Sequence, residues 1–332
     1  MKTNKKHAIA AAAATVILVF AMYWFFHDSW GDILVQIKNA GKQLLLVLFL
    51  LGNLYIVLDG MVFCYMIRRN HEPCSVLQAI RLSYMVVFFN VTTFAAGTKP
   101  AQIYYLYRQN HTAPGKGFGM LTMEYVSHKL TIVLYAMVML CFYGSSILDQ
   151  LGDSWIYLPA GFGISFVILI FLVTFCVTER FVPWLSRLSG QIKKEKWKAK
   201  AEKVLLQLEE FSKVGRVFAK DKRGWMELIV LNGLKMTCLY LIPMTAAYAV
   251  TKERLPLSVG GCIAYASVMQ LLIGVIPTSG GTGSTELVFM LLFGRMLGKA
   301  ACGAAMILYR MATYYVPFLV SIPLMATGRK KA

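Results

Sequence analysis

Six stretches of this chain are both long enough and apolar enough to cross a lipid bilayer as helices: residues 8–26, 44–67, 118–143, 155–178, 225–250 and 300–326. A hydrocarbon core about 30 Å thick takes about 20 helical residues to span, since each adds about 1.5 Å of rise. Lipid offers no hydrogen bonds to a backbone, so runs of this length read as helices that satisfy their own polar groups. The fold class that follows is all-α, a polytopic integral membrane protein. Composition agrees, with 58% apolar residues against about 45–50% in soluble proteins.

Two further apolar stretches, 75–97 and 258–297, are interrupted by glycine, proline and polar residues. Charge decides how they sit, because Lys and Arg gather on the cytoplasmic side. The N-terminal lysines, Arg68-Arg69, the 179–224 segment and the Arg329-Lys330-Lys331 tail belong inside; the 144–154 loop, with Asp149 and Asp153 and no basic residue, belongs outside. These assignments are consistent only if 75–117 dips in and returns to the cytoplasm, while 258–297 enters and leaves from outside. The expectation is about six full spans plus two broken re-entrant hairpins in an inverted-repeat-like arrangement, in a cell membrane, with both termini cytoplasmic. Residues 1–332 then form one membrane domain: a first half (1–178), a basic segment (179–224) and a second half (225–332). The first run follows Lys2, Lys5 and Lys6 and ends in bulky Tyr23-Trp24-Phe25-Phe26, which reads as a retained anchor rather than a cleaved signal.

The formal charge is +18, from 34 basic and 16 acidic residues. The basic residues lie mostly between apolar runs, so they read as topology anchors that attract anionic headgroups, and no nucleic-acid partner is expected. Segment 179–224 carries Trp197, Val204, Leu205, Leu208, Phe211, Val214 and Phe218 at helical spacing among its charges. This is either an amphipathic helix on the inner leaflet or a cytoplasmic helical linker. Residues 30–43 read as a shorter interfacial helix on the outer side. The seven cysteines form no C-x-x-C pair, so neither disulfides nor a metal site is expected. Signatures of hydrolases, zinc proteases, nucleotide-binding loops and dinucleotide folds are missing; no catalytic residue or cofactor is assigned.

The interruptions are where chemistry should concentrate, since non-helical backbone at membrane depth survives only under cover of protein or beside a water-filled cavity. In the second, Pro277 ends one half-helix, Gly280, Gly281 and Gly283 permit a tight turn, and Ser284-Thr285-Glu286 can start the next. Glu286 either caps its own helix or serves as a buried acid that pairs with a cation or takes up a proton. In the first, Lys99 and Arg108 could hold an anionic headgroup, with Asn90 and Gln102 supplying hydrogen bonds; alternatively Arg108 snorkels to the interface. Within full spans, Glu124 and His128 share a helix face beside Lys129, and Asn232 and Lys235 share another. Arg310 lies in the last span and Asp59 in the second. Intramembrane ionisable groups of this kind read as a transport or headgroup site, with a structural ion-pair network as the competing reading.

The stretch Pro277 to Glu286 resembles the P-x-x-G-G-x-G-x-x-E signature of the lysylphosphatidylglycerol synthase transmembrane region, a flippase-like family. Gly97-Thr98-Lys99-Pro100-Ala101-Gln102-Ile103-Tyr104-Tyr105 resembles its other characteristic stretch, in the G-G-Q-P-x-Q-I-Y-Y form, with Lys99 in place of Gln. Among members such as the multiple peptide resistance factor, the membrane domain is held to move aminoacylated phosphatidylglycerol between leaflets, and a separate domain synthesises that lipid. The resemblance implies a lipid translocase whose partners are anionic or aminoacylated phospholipids, with a lipid-synthesis enzyme as a further partner; homo-oligomerisation is compatible with it. The alternative is a phosphatidylglycerol lysyltransferase or a membrane subunit of a lipid-modifying enzyme. The chain stops at Ala332 directly after its last span, so the synthase domain, and enzyme activity with it, is not expected.

Overall fold

The computed structural model describes residues 30–93, 97–177, 195–251, 257–274 and 283–327. Among these the secondary structure is helical, and it falls into two successive sets. The first holds α1 (Trp30–Lys38), α2 (Lys42–Arg69), α3 (Val76–Thr92), α4 (Thr98–Asn110) and α5 (Pro114–Leu151). A 3-10 turn at Gly152–Ile156 and α6 (Tyr157–Val177) follow. The second holds α7 (Glu195–Lys220), α8 (Lys222–Thr251), α9 (Val259–Ile273), α10 (Ser284–Leu297) and α11 (Lys299–Arg310). A π-helical turn, Met311–Tyr315, joins α11 to α12 (Val316–Thr327).

Four continuous helical stretches are long and apolar enough to cross a membrane: Lys42–Arg69, Pro114–Cys176, Lys222–Thr251 and Lys299–Met325. The count differs from the expected six for two reasons. The 8–26 run lies outside the described residues, and the runs at 118–143 and 155–178 belong to one 63-residue stretch, in which Gly152, at φ +52°, ends α5 and a 3-10 turn leads directly into α6. The interrupted stretches form shorter helices. Val76–Thr92 and Val259–Ile273 are apolar but too short to span alone.

Local signals explain where these helices start. Ser75 and Gln78 make a reciprocal capping box at the head of α3, with Gln78 N–H donating to Ser75 Oγ at 3.2 Å and Ser75 N–H to Gln78 Oε1 at 2.9 Å. Ser258 caps α9 by accepting from Gly261 N–H at 3.1 Å. Pro114 stands at the first turn of α5, where its missing N–H costs nothing.

Packing between the sets is reciprocal. Helices α2 and α8 run along each other as the central pair. The short helix α3 packs on α2 and reaches across to α12, while its counterpart α9 packs on α8 and reaches across to α5. Likewise α1 lies against α11 of the second set, and α7 against α5 of the first. Of the stretch 30–43, residues Trp30–Lys38 form the short helix α1. The basic segment's helix is α7, and its two halves differ. Val204 and Leu206 are exposed, whereas Phe211, Val214 and Phe218 are buried. Phe211 stacks on Phe118 of α5 and tilts against Phe175 of α6. The second half of the apolar stripe is therefore spent on the bundle rather than on lipid.

At the end of the bundle where α7 meets α8, Arg69 and Asp221 form a two-pronged ion pair, at 2.6 and 2.8 Å. Asp221 also accepts from Gly224 N–H at the start of α8, at 2.9 Å. The Arg69 guanidinium, helped by that amide, holds the Asp221 carboxyl below its ordinary range.

Candidate functional site

A cavity of about 350 Å³ opens between α2, α3, α4, α5, α8 and the π-turn. Asp59 of α2 is its hub. Lys235 of α8 donates to Asp59 Oδ1 at 2.9 Å, and Ser83 of α3 donates to Oδ2 at 2.8 Å. Glu124 of α5 stands 3.9 Å from the same ammonium. Lys235 is 0% exposed and Glu124 5%, so each of these charges would be costly without the others. One lysine between two carboxylates leaves a formal charge of −1 on this trio.

Lys99 enters the same cavity from the start of α4. Its ammonium makes no hydrogen bond or ion pair among the described residues. The two arms of the interruption are clipped by Thr98 Oγ1 donating to Asn90 Oδ1 at 2.8 Å, and Gly97 N–H donates to Thr93 Oγ1 at 2.8 Å. Asn90 and His128 line the cavity too, and Tyr314 closes it from the π-turn. Such π-turns are uncommon in helices and recur at functional sites.

The second interruption brings together a different set of charges. Residues 275–282, and with them Gly280 and Gly281, lie outside the described residues. Gly283 is described, at φ +88°, a conformation that favours glycine. Its N–H donates to Glu286 Oε2 at 2.7 Å, so the acid does cap its own helix. It also pairs with Arg310, whose Nε reaches Oε1 at 2.8 Å and Nη2 reaches Oε2 at 2.9 Å. Glu286 is 7% exposed and Arg310 6%. The two readings of Glu286, cap and charge partner, both hold. Arg310 lies over the ring of Tyr314, 5.6 Å from its centroid, and so touches a side chain that lines the first cavity.

The expected site residues thus divide. Asn90, Lys99, Glu124, His128 and Lys235 come together around Asp59. Gly283, Glu286 and Arg310 form the second group. Lys129 is buried and belongs to neither; its ammonium lies 3.5 Å from the carbonyl of Gly274, at the end of α9. Cations favour that end of a helix. Asn232 donates to Ser127 Oγ at 3.2 Å within the α5–α8 contact. No hydrogen bond joins Glu124 to His128, whose Nδ1 is unpartnered; Glu124 faces Lys235 instead.

Two of the candidates stand outside the cavity. Gln102 does not line the cavity: it is fully buried beneath α4, with both amide atoms unpartnered. Arg108 stays out as well, exposed near the end of α4 with Tyr104 and Tyr107, as an arginine that snorkels does. Asp59, noted in the sequence only as an ionisable group within a span, proves to be the hub, and nothing in the sequence pointed to its partner Ser83. A lone acid in an apolar span is a detectable signal; a serine is not.

A helical bundle whose interrupted helices gather buried charges around an internal cavity defines the class, a polytopic membrane protein with a polar site between its spans. More narrowly, the chain belongs to the family described as the lysylphosphatidylglycerol synthase TM region, whose model matches residues 9–321. No curated protein matches the chain.

Proposed function

We propose that this protein is a lipid translocase that lets a phospholipid headgroup cross between leaflets of the cell membrane, phosphatidylglycerol or its aminoacylated form being the first candidates. The observation that carries this reading is Lys99, an ammonium with no hydrogen bond or ion pair among the described residues, facing a cavity whose other lysine is already bound between two acids. A phosphate is the natural complement to a free ammonium at such depth. The hydroxyl and amide groups around it can replace part of the headgroup's hydration, while acyl chains remain in lipid. The two interrupted stretches act as oppositely oriented re-entrant hairpins, and their reciprocal packing supports reading the chain as two related halves joined by the basic segment.

The test is lipid exchange in proteoliposomes. The purified chain should bring fluorescent phosphatidylglycerol from the inner leaflet to an outer-leaflet quencher faster than protein-free vesicles do. Equal rates in the two preparations would sink the reading. A second reading follows from the family, the lysylphosphatidylglycerol synthase TM region, and makes the chain the membrane part of a lipid-aminoacylating enzyme. In that case exchange is absent, and the chain instead raises aminoacyl-lipid formation by a co-purifying enzyme.

The orientation in this reading puts 98–117, α7 and both termini in the cytoplasm. In a cysteine-free background, a single cysteine at position 150 should react with an impermeant reagent added outside, and one at 112 should not. Strong external labelling at 112 removes the first re-entrant hairpin.

A further inference from the structure

We infer a second lipid seat, separate from the polar cavity, in which an acyl chain lies between α6, α9 and α10 while the phosphate of the same lipid rests on Arg295. The groove has a volume of about 580 Å³, within the usual range for small-ligand sites of about 300–1,000 Å³. Ser154 and Tyr157 mark its polar end, and Ala160, Leu272, Leu287 and Leu291 make its apolar wall. It lies toward the end of the bundle where α5 and α10 terminate, away from the α7 contact.

The seat has the sequence of chemistry that a phospholipid presents. Leu287, Leu291 and Arg295 follow one another at four-residue spacing on α10, so they form one stripe that passes from apolar to cationic. Leu287 is 59% exposed, which in a membrane means exposure to chains rather than to water. Trp155, Ile156 and Tyr157 are exposed beside the polar end; tryptophan and tyrosine favour the headgroup level of a bilayer. Arg295 is therefore at the depth where a phosphate travels.

Its guanidinium is half engaged. Nη1 donates to the carbonyls of Asp149 and Gln150 in the last turn of α5, at 3.4 and 3.2 Å. Nε and Nη2 have no partner among the described residues, and no carboxylate is paired with this arginine there. The turn below it makes room: Gly152 has φ +52°, and a Cβ on it would stand 3.3 Å from both Nη1 and Nη2. An arginine fixed through one nitrogen, with the rest of its fork free, is arranged to take a phosphate oxygen pair. The occupant is thus a phospholipid rather than a protein helix, because an apolar partner would leave that fork unmatched.

The seat rests on the translocase reading only for its purpose, as a waiting position for lipid on the second interruption's side; binding itself does not require transport. The experiment uses the full chain in nanodiscs containing phosphatidylglycerol with a photoreactive diazirine on one acyl chain. Cross-links should map to Leu287, Leu291 and Ala160, and fall about fivefold in Arg295→Gln, as expected for one basic contact to an anionic lipid. Ala160→Trp, which fills the groove, should displace them while leaving Arg295 in place. Arg295→Gln alters an exposed side chain, so it remains informative if the tryptophan variant fails to insert. Cross-links that persist unchanged in Arg295→Gln, or that spread evenly over lipid-facing Val167 and Phe171 of α6, overturn the proposal. Mapped cross-links without any lipid exchange would support the seat and count against translocation instead.

Discussion

The two interruptions follow one structural plan and end in opposite electrostatic states. Each has a short apolar helix followed by a further helix that starts beside buried charge. At the first, Lys99 makes no hydrogen bond or ion pair among the described residues, and it faces a cavity in which Asp59 and Glu124 share Lys235. At the second, Glu286 is held by two nitrogens of Arg310 and by the amide of Gly283, and the side chains are almost wholly buried. A closed ion pair in low dielectric is costly to break from one side only, by about 3 kcal/mol, whereas a free ammonium in a cavity can exchange partners. The contrast suggests a division of labour in which the first region meets the headgroup and the second holds the bundle in one arrangement. Tyr314 is the physical link, since it lines the cavity and lies under the Arg310 guanidinium.

The largest effect should come from Glu286→Gln. The amide still offers an oxygen to Gly283 N–H, so the helix cap survives, but Arg310 loses the carboxylate charge that it meets through two nitrogens. We expect lipid exchange to fall to the protein-free background, with thermal stability lowered by about 3 kcal/mol in a protein that still inserts. Wild-type exchange in this variant would reduce Glu286 to a cap and erase the contrast between the two regions.

Lys99→Ala should do less. No protein partner is stranded by the change, so folding and insertion should be unaffected. Retention of anionic phospholipid, read by native mass spectrometry, should weaken by about 1 kcal/mol, roughly fivefold. If Lys99→Ala destabilised the bundle as strongly as Glu286→Gln, the first region would be a structural network like the second. Unchanged lipid selectivity would remove Lys99 from headgroup contact.

Much of this was legible in the chain alone, for reasons that are local. Run length and the lack of external hydrogen bonds in lipid dictate helices at 44–67, 118–143, 225–250 and 300–326. Glycine, proline and polar residues at 93–100 and 276–286 mark where those helices must break. Glu286 beside a glycine turn announces a cap, and Lys99 at a helix start announces a charge that needs explaining. Even the apolar stripe of α7 is written in its spacing.

Partner choice required the tertiary structure. Spacing put Glu124 and His128 on one face and offered them to each other, yet Glu124 turns to Lys235, because an ammonium neutralises a buried carboxylate better than a neutral ring does. Its place in the first interruption offered Gln102 as a hydrogen-bonding group for a headgroup, yet its side chain is fully buried and does not line the cavity. Arg310 could have answered any acid in the bundle; only the packing of α11 on α10 selects Glu286. The sequence determines which residues carry charge and where helices can break, since both are properties of one segment and its solvent. Which charges meet depends on how segments far apart in the chain rotate and approach, and that is settled by packing across the whole bundle.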